Sequence, residues 1–164
     1  TLSKGHDYIT VKEERTHIES YLEIQQFRYQ DILDYEIRMN EEIYSYIIPK
    51  LTLQPLVENA LYHGIKNKRG KGKILITGEK QGDKIIFQVI DNGKGMTEEE
   101  LNNLRKQMAG TDTGDEAKGF GVSNVNQRIK YYYGEEYGVF FESKENEGTN
   151  ATIIIAAKNI QLPS

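Results

Sequence analysis

The spacing of apolar residues along the chain predicts two amphipathic helices in its first half. Val11, Ile18 and Leu22 fall on nearly one helical azimuth within a stretch, residues 11–30, that holds no glycine or proline. A second helix is predicted where apolar residues recur at i, i+3, i+4, i+7 and i+8, namely at Leu53, Leu56, Val57, Ala60 and Leu61. Pro55 stands in its first turn, where a missing N–H costs nothing.

Alternating or continuous apolar runs predict the strands. Tyr35–Met39 alternates apolar and charged residues, as a half-buried strand does. The runs Ile74–Glu79 and Lys84–Ile90 are joined by a glycine-containing turn, which is typical of a hairpin. Two more strands are predicted near the end of the chain, at Val139–Ser143 and Ala151–Ala157.

Two more helices are predicted in the second half. Thr97 would cap one of them, because three glutamates follow it where the positive end of the helix dipole favours acidic groups. Val122, Val125 and Ile129 mark the other, with Gly134 as its C-terminal stop. Helices and strands take up similar shares of the chain, which indicates an α/β fold. We expect a two-layer sandwich with helices on one face of a mixed, largely antiparallel sheet.

Composition narrows the class of protein. The 164 residues suit a single domain, and 21 Lys+Arg against 25 Asp+Glu give a net charge of −4, so nucleic-acid binding is not expected. The absence of cysteine excludes disulfides, thiolate zinc sites and cysteine nucleophiles. Because no run of ~18 apolar residues occurs, a membrane link is expected only through a missing N-terminal region.

Three short motifs carry residues that could do chemistry. They are Glu58-Asn59-Ala60-Leu61-Tyr62-His63-Gly64 on the second helix, Asp91-Asn92-Gly93-Lys94-Gly95-Met96 at a strand end, and Gly119-Phe120-Gly121-Val122 at a helix start. Alone, each motif has an ordinary explanation: a solvated helix face, a turn, and a loop-to-helix junction. Their order and spacing, with an irregular segment between the second and the third, make the joint pattern specific.

In that order the motifs resemble the N, G1 and G2 boxes of the Bergerat-fold superfamily, which includes sensor histidine kinases, DNA gyrase, heat-shock chaperones and mismatch-repair ATPases. The similarity is close to the YesM-like group of bacterial sensor histidine kinases. In this resemblance the N box runs from Leu53-Gln54-Pro55-Leu56-Val57 through Glu58-Asn59-Ala60 to His63-Gly64, and the G2 box also includes Asn124-Val125 and Arg128. Tyr21-Leu22-Glu23-Ile24 with Arg28 resembles the segment that joins the phosphoacceptor helices to the ATP-binding domain.

The resemblance implies an ATP site and assigns residues to its base. Asp91 would accept a hydrogen bond from the adenine amino group, which would select adenine over guanine. Gly93 and Gly95 would let the backbone approach the base, where a Cβ would intrude. Met96 belongs to the same box, and Thr149 stands where the family often places a threonine near the base.

The resemblance also assigns the metal, the phosphates and the lid. Asn59 would bind Mg²⁺ through its side-chain oxygen, a hard ligand suited to that ion. The phosphates would meet backbone N–H groups at a helix start, formed by Gly119, Phe120, Gly121 and Val122. Residues 97–118 would be the ATP lid, a segment ordered only with nucleotide. Glu58, Asn59 and His63 of the N box would be the catalytic side chains.

Two positions depart from the family pattern. Many histidine kinases have Lys or Arg three residues after the N-box asparagine, where this chain has Tyr62. Basic residues follow shortly after it, and they either replace the missing N-box cation or belong to an ordinary solvated loop. They are Lys66, Lys68, Arg69 and Lys71. The superfamily's ATPases keep a glutamate base one turn before the asparagine, where this chain has Pro55. Transfer to a protein nucleophile is therefore expected rather than hydrolysis, with Glu58 a weaker candidate base.

The implied function is that of the ATP-binding catalytic domain of a two-component sensor histidine kinase. None of His6, His17 and His63 stands in a motif resembling the family's Asn-Pro-His-Phe-Leu-Tyr-Asn, so the acceptor histidine is expected on an absent dimerisation domain. The implied partners are those phosphoacceptor helices, a response regulator and a second copy of the full-length kinase. The domain would lie on the cytoplasmic side of a bacterial membrane protein.

The resemblance further predicts a division of the chain. Residues 1–30 would be a helical linker from the absent phosphoacceptor domain, and residues 31–164 the ATP-binding domain. The alternatives are a superfamily ATPase or an anti-sigma-factor-like serine kinase with the same pocket, and a degenerate module that only mediates assembly. Pro55 argues against the ATPase, and the segment from Tyr21 to Arg28 argues against both enzymes.

Overall fold

The computed structural model describes residues 7–30, 32–66, 70–110 and 120–160. Within those ranges the elements, in chain order, are β1 (Tyr8–Thr10), α1 (Val11–Arg28), β2 (Leu33–Met39), β3 (Ile47–Pro49), α2 (Gln54–Asn59), β4 (Gly72–Gln81), β5 (Lys84–Asp91), α3 (Glu98–Met108), α4 (Phe120–Tyr133), β6 (Gly138–Lys144) and β7 (Gly148–Ala156). A 3₁₀ turn at Glu41–Ile43 precedes β3, and a π-helical turn at Ala60–Ile65 extends α2.

Five strands form one sheet in the order β2-β4-β5-β7-β6. The β2–β4 pair is parallel and the other pairs are antiparallel, so the predicted mixed, largely antiparallel sheet is confirmed. The inner face carries the core, where Ile76, Phe87 and Ile153 are fully buried beneath the helices. The outer face carries half-buried Gln88 and Thr152, consistent with a two-layer sandwich.

Helix α1 packs on the same core as the sheet. Thr10 and Glu13 form a capping box at its start, and Ile18 and Leu22 are fully buried. Strand β1, just before the helix, pairs with β3 to make a separate two-stranded sheet. This pairing was not predicted, because a strand of three residues is too short for an alternating pattern to show. The predicted division at residue 30 stays a prediction.

The predicted helix ends and turns agree with the structure. Thr97 accepts from the backbone of Glu100 in a capping box that starts α3, and Gly134, at φ +124°, follows α4. The β4–β5 hairpin turns at Gly82, where φ is +62°. Within the described ranges, no helix is both long and apolar enough to cross a membrane.

Candidate functional site

Asp91 is a buried carboxylate at the end of β5. It is 6% exposed, and the backbone N–H of Gly93 donates to its Oδ1 at 2.9 Å. Such a side chain is costly to bury unless its oxygens are hydrogen-bonded, so the turn that follows β5 stabilises it. In the sheet Asp91 stands directly between Ile74 of β4 and Thr149 of β7, on the face that the helices cover.

Glycines bring the N box and the G1 box into backbone contact. A Cβ on Gly64 would lie 2.7 Å from Asp91 Oδ1, and a Cβ on Gly93 would lie 2.3 Å from the carbonyl carbon of Gly64. The backbone N–H of Lys94 donates to the Gly64 carbonyl at 3.3 Å. The helix that carries Asn59 therefore ends against the turn that carries Asp91.

The structure gives a physical reason for the glycines of the G1 box. A Cβ on Gly95, whose φ is +67°, would lie 2.0 Å from the Lys144 carbonyl oxygen, and Gly93 has the contact with Gly64 described above. In both cases the atoms that exclude a Cβ belong to the chain's own backbone. Close approach to a base at these positions stays a prediction.

A pair of hydroxyl groups lies beside Asp91. Ser143 Oγ and Thr149 Oγ1 are 2.8 Å apart, and Thr149 pairs directly with Asp91 across β5 and β7. The Ser143 hydroxyl also accepts from the backbone N–H of Met96 at 2.9 Å and donates to the Gly148 carbonyl at 3.0 Å. Ser143 was missed in the sequence because it stands in no motif and only pairing of β6 with β7 brings it here.

The N box ends in a widened helical turn. Asn59, half-buried, is the last residue of α2, and in the π-helical turn that follows Lys66 N–H donates to the Leu61 carbonyl at 2.8 Å. The sequence predicts a uniform α-helix here, in which Asn59, Tyr62 and His63 would share one face. The wider turn changes the azimuths of the last two, and both are exposed.

Glu58 of the N box and Lys66, just after it, both have partners nearby. Glu58 accepts from the Gln54 side chain at 3.3 Å, one turn earlier. Lys66 Nζ lies 5.1 Å from the ring centroid of Tyr62 and 5.9 Å from that of Tyr29. Of the cations expected to replace the N-box lysine, Lys66 is thus held beside Tyr62. Lys71 is exposed, and residues 68 and 69 lie outside the described ranges.

The G2 box packs against the start of the N-box helix. Helix α4 begins at Phe120, and a Cβ on Gly121 in its first turn would meet Pro55 Cβ at 3.4 Å. Val122 is buried and anchors this turn in the core. Further along, Arg128 donates to the Lys50 carbonyl at 2.6 Å and to the Leu51 carbonyl at 2.8 Å. Residue 119 lies outside the described ranges.

The segment predicted to be a lid begins as a packed helix. Helix α3 buries Leu101 and Met108, and Arg105 donates to the Phe141 carbonyl of β6 at 2.6 Å. Asn126 of α4 donates to the Met108 carbonyl at 3.2 Å and fixes the end of α3. The first half of the predicted lid is thus a helix packed against β6 and α4, and residues 111–118 lie outside the described ranges. That residues 97–118 are ordered only with nucleotide stays a prediction.

Glu14 is a buried carboxylate that the motifs do not indicate. It is 1% exposed, and its carboxylate accepts from the backbone N–H of Leu51 at 2.9 Å and from that of Leu53, just before α2. Burial raises its pKa to about 7, although backbone hydrogen bonds and the charge of Arg128 oppose the shift. The available signal was its position between Val11 and Ile18 on the apolar azimuth of α1.

Comparison with known proteins shows the family of this chain. A family model described as histidine kinase-, DNA gyrase B-, and HSP90-like ATPase matches residues 49–159, which contain all three boxes. The chain belongs to this family. The sensor histidine kinase YesM of Bacillus subtilis is 33% identical over 153 residues, which are 93% of this chain and 25% of that protein. The sensor protein LytS of Bacillus anthracis is 32% identical over 92% of this chain and 25% of that protein.

The solved structures identify the fold. The catalytic domain of the histidine kinase ThkA matches with a TM-score of 0.67 at 20% identity, covering 93% of this chain and 97% of that one. The fold is thus the Bergerat fold of histidine kinase catalytic domains. Taken with the family, it identifies the chain as an ATP-binding catalytic domain of the histidine kinase type. The chain spans about a quarter of the length of the curated relatives named here.

Proposed function

We propose that this domain binds ATP with Mg²⁺ and presents the terminal phosphate to a histidine on a phosphoacceptor segment outside the chain. The observation that carries the proposal is the junction of the three boxes. Gly64 of the N box lies so close to Asp91 of the G1 box that a Cβ would clash, and Pro55 of the N box lies where a Cβ on Gly121 of the G2 box would touch it. One surface can therefore offer a buried carboxylate, an amide oxygen and a helix start to one nucleotide.

The residues present fit both parts of the ligand. Asp91 supplies a buried acceptor of the kind that recognises an amino group, and Asn59 supplies a neutral oxygen suited to Mg²⁺. The ion would neutralise charge on the phosphates when bound. The first turn of α4, which contains Gly121, would direct backbone N–H groups at the same phosphates. Lys66, held over the ring of Tyr62, would supply the cation missing from the N box.

The arrangement favours transfer to a protein over hydrolysis. Pro55 stands in the first turn of α2, at the position where the superfamily's ATPases have their base, and it cannot accept a proton. Glu58 is hydrogen-bonded to Gln54 along the helix. Catalysis would then come from positioning the phosphate in line with an incoming imidazole and from neutralising charge.

The partners follow from this reaction. The acceptor histidine would lie on phosphoacceptor helices that precede α1, and a response regulator would receive the phosphoryl group from it. YesM is a sensor histidine kinase and LytS a sensor protein. We extend to this protein a full-length form that is dimeric and anchored in a membrane, with this domain on the cytoplasmic side.

A labelling experiment tests the proposal. The domain is incubated with magnesium and γ-labelled ATP, alone and with a separately made segment carrying the phosphoacceptor helices of the full-length protein. We expect acid-labile label on the added segment and little phosphate release from the domain alone. The transfer should be weak, because the two parts are no longer linked. Asn59→Ala serves as the variant expected to be inactive.

The other outcomes distinguish the alternatives. Brisk phosphate release without labelling would identify an ATPase, and acid-stable label on an added protein would identify a serine kinase. Acid-labile label on the isolated domain, lost in His17→Ala, would place the acceptor inside the chain. A failure to bind ATP at all would overturn the proposal and leave a module that serves only in assembly.

A further inference from the structure

The hydroxyl pair beside Asp91 has a fixed direction. A carbonyl oxygen only accepts hydrogen bonds, so in its 3.0 Å contact with Gly148 the hydroxyl of Ser143 must be the donor. That contact uses the single proton of the serine. In its 2.8 Å contact with Thr149, the oxygen of Ser143 must therefore accept, and the threonine must donate.

The direction of this hydrogen bond decides what Thr149 can offer to a ligand. Because its only proton points to Ser143, the oxygen of Thr149 presents lone pairs elsewhere and acts as an acceptor. Thr149 and Asp91 are direct cross-strand partners, whose Cβ atoms in such a pair lie ~5 Å apart on the same face. The carboxylate of Asp91 is also an acceptor when ionised.

We propose that Ser143 is a specificity-determining residue of the base site. By accepting the hydrogen bond of the Thr149 hydroxyl, it keeps Thr149 a hydrogen-bond acceptor, so that the site binds a 6-amino purine and rejects a 6-oxo purine. This inference rests on the proposed function, since it concerns the base of the bound nucleotide. An exocyclic amino group carries two N–H donors, which match two neighbouring acceptors. A 6-oxo group carries only lone pairs, which would face the lone pairs of Asp91 and of Thr149.

The position of Ser143 makes the role of Thr149 independent of the ligand. The backbone N–H of Met96 donates to Ser143 at 2.9 Å, which uses a further lone pair of the serine and ties it to the end of the G1 box. Ser143 and Thr149 are direct cross-strand partners of β6 and β7. The threonine is thus oriented by two strands and a loop before any base arrives, which avoids a reorganisation cost on binding.

The experiment compares two nucleotides that differ at one position. ATP has an amino group at position 6 of the purine, and inosine triphosphate has an oxygen there. Their dissociation constants are measured by calorimetry with magnesium for the wild-type domain and for Ser143→Ala, Ser143→Thr, Thr149→Val and the double variant S143A/T149V. The readout is the ratio of the two constants, because damage to the Met96 loop weakens both nucleotides alike and cancels.

We expect Ser143→Ala to lower the preference for ATP by about fivefold, the value of one ordinary hydrogen bond. Without the serine, the Thr149 hydroxyl can turn and donate to the 6-oxo group. Ser143→Thr keeps a hydroxyl and should keep the preference. Thr149→Val should lower the preference by a similar factor, and Ser143→Ala should then have no further effect in the double variant.

The results that would overturn the inference are distinct from those that concern the function. If the wild-type domain binds ATP and folded Ser143→Ala keeps the full preference, the inference is wrong and the function stands. The inference is also wrong if Ser143→Ala lowers the preference for ATP by the same factor in the wild-type background and in the Thr149→Val background. The serine would then affect the base other than through Thr149. If the wild-type domain binds neither nucleotide, the proposed function fails, and this inference fails with it.

Discussion

The carboxylate of Glu14, on α1, accepts a hydrogen bond from the backbone N–H of Leu51 at 2.9 Å, in the loop that starts the N-box helix. Arg128 of α4 holds the same loop by donating to the carbonyl of Leu51 at 2.8 Å. Leu51 has a φ of +60°, in the left-handed region that non-glycine residues rarely adopt. Helices α1 and α4 together therefore stabilise a strained backbone just before the helix that carries Asn59.

The raised pKa of Glu14 predicts a pH-dependent stability. Burial raises the pKa from its usual value of 4.5 to about 7, so between these values the folded state binds more protons than the unfolded state. The contribution to stability is fully present below about pH 4.5 and is lost as the pH rises through 7. The total loss is of the order of 3 kcal/mol.

Urea unfolding at pH 5 and at pH 7.5 measures this effect. Other carboxylates also titrate over the lower part of this range, so the comparison is with Glu14→Gln, which cannot ionise. We expect the free energy of unfolding of the wild type to fall more steeply with pH than that of Glu14→Gln. Equal slopes for the two proteins would show that Glu14 titrates at its ordinary pKa in the folded state.

Two glycines of similar φ provide a test of the G1 geometry. Gly95 and Gly82 have φ values of +67° and +62°, but a Cβ would clash with the Lys144 carbonyl only at Gly95, while Gly82 has open space around it. Gly82→Ala should cost about 1–2 kcal/mol, the price of the left-handed conformation. Gly95→Ala should cost more than about 4 kcal/mol or prevent folding. Similar thermal midpoints for the two variants would contradict this packing.

Asp91→Asn should weaken ATP binding between about fivefold and about a hundredfold, because the amide presents a donor to the amino group of the base, and a mismatched buried pair costs on the order of 1–3 kcal/mol. The side-chain oxygen that remains can still accept from Gly93, so the turn should survive. Calorimetric titration with ATP measures the loss, and Asp83→Asn in the exposed β4–β5 turn is the control. An unchanged dissociation constant in folded Asp91→Asn would remove this residue from the base site.

Helices and strands could be predicted from the sequence where a long segment shows a regular spacing of buried apolar residues. The apolar positions of α1 and α4 and the glycine turn between β4 and β5 are examples, since each depends on local chemistry. The parallel pairing of β2 with β4 was not predictable in this way, because it depends on residues far apart in the chain. The β1–β3 pair was missed for its shortness.

Residues of the candidate site could be predicted from the sequence only where they stand in a short motif. Asp91 and Asn59 stand in motifs, whereas Glu14 and Ser143 act through backbone groups that lie 37 residues (Leu51) and 47 residues (Met96) away. A glutamate on an apolar azimuth does not show from the sequence which N–H groups it will meet. The π-helical turn after Asn59 likewise has no sequence signature, since its residues suit an ordinary helix.

Asn59→Ala should separate the metal from the base. Asn59 would hold Mg²⁺, which would neutralise charge on the phosphates, so its loss should weaken ATP binding several-fold in magnesium and much less in a metal chelator. Adenosine, which lacks phosphates, should bind the variant and the wild type alike. Asn102→Ala, on the exposed side of α3, controls for an asparagine removed from a helix surface. Equal losses for ATP and adenosine would mean that the substitution had damaged the contact of Gly64 with Asp91 rather than the ion site.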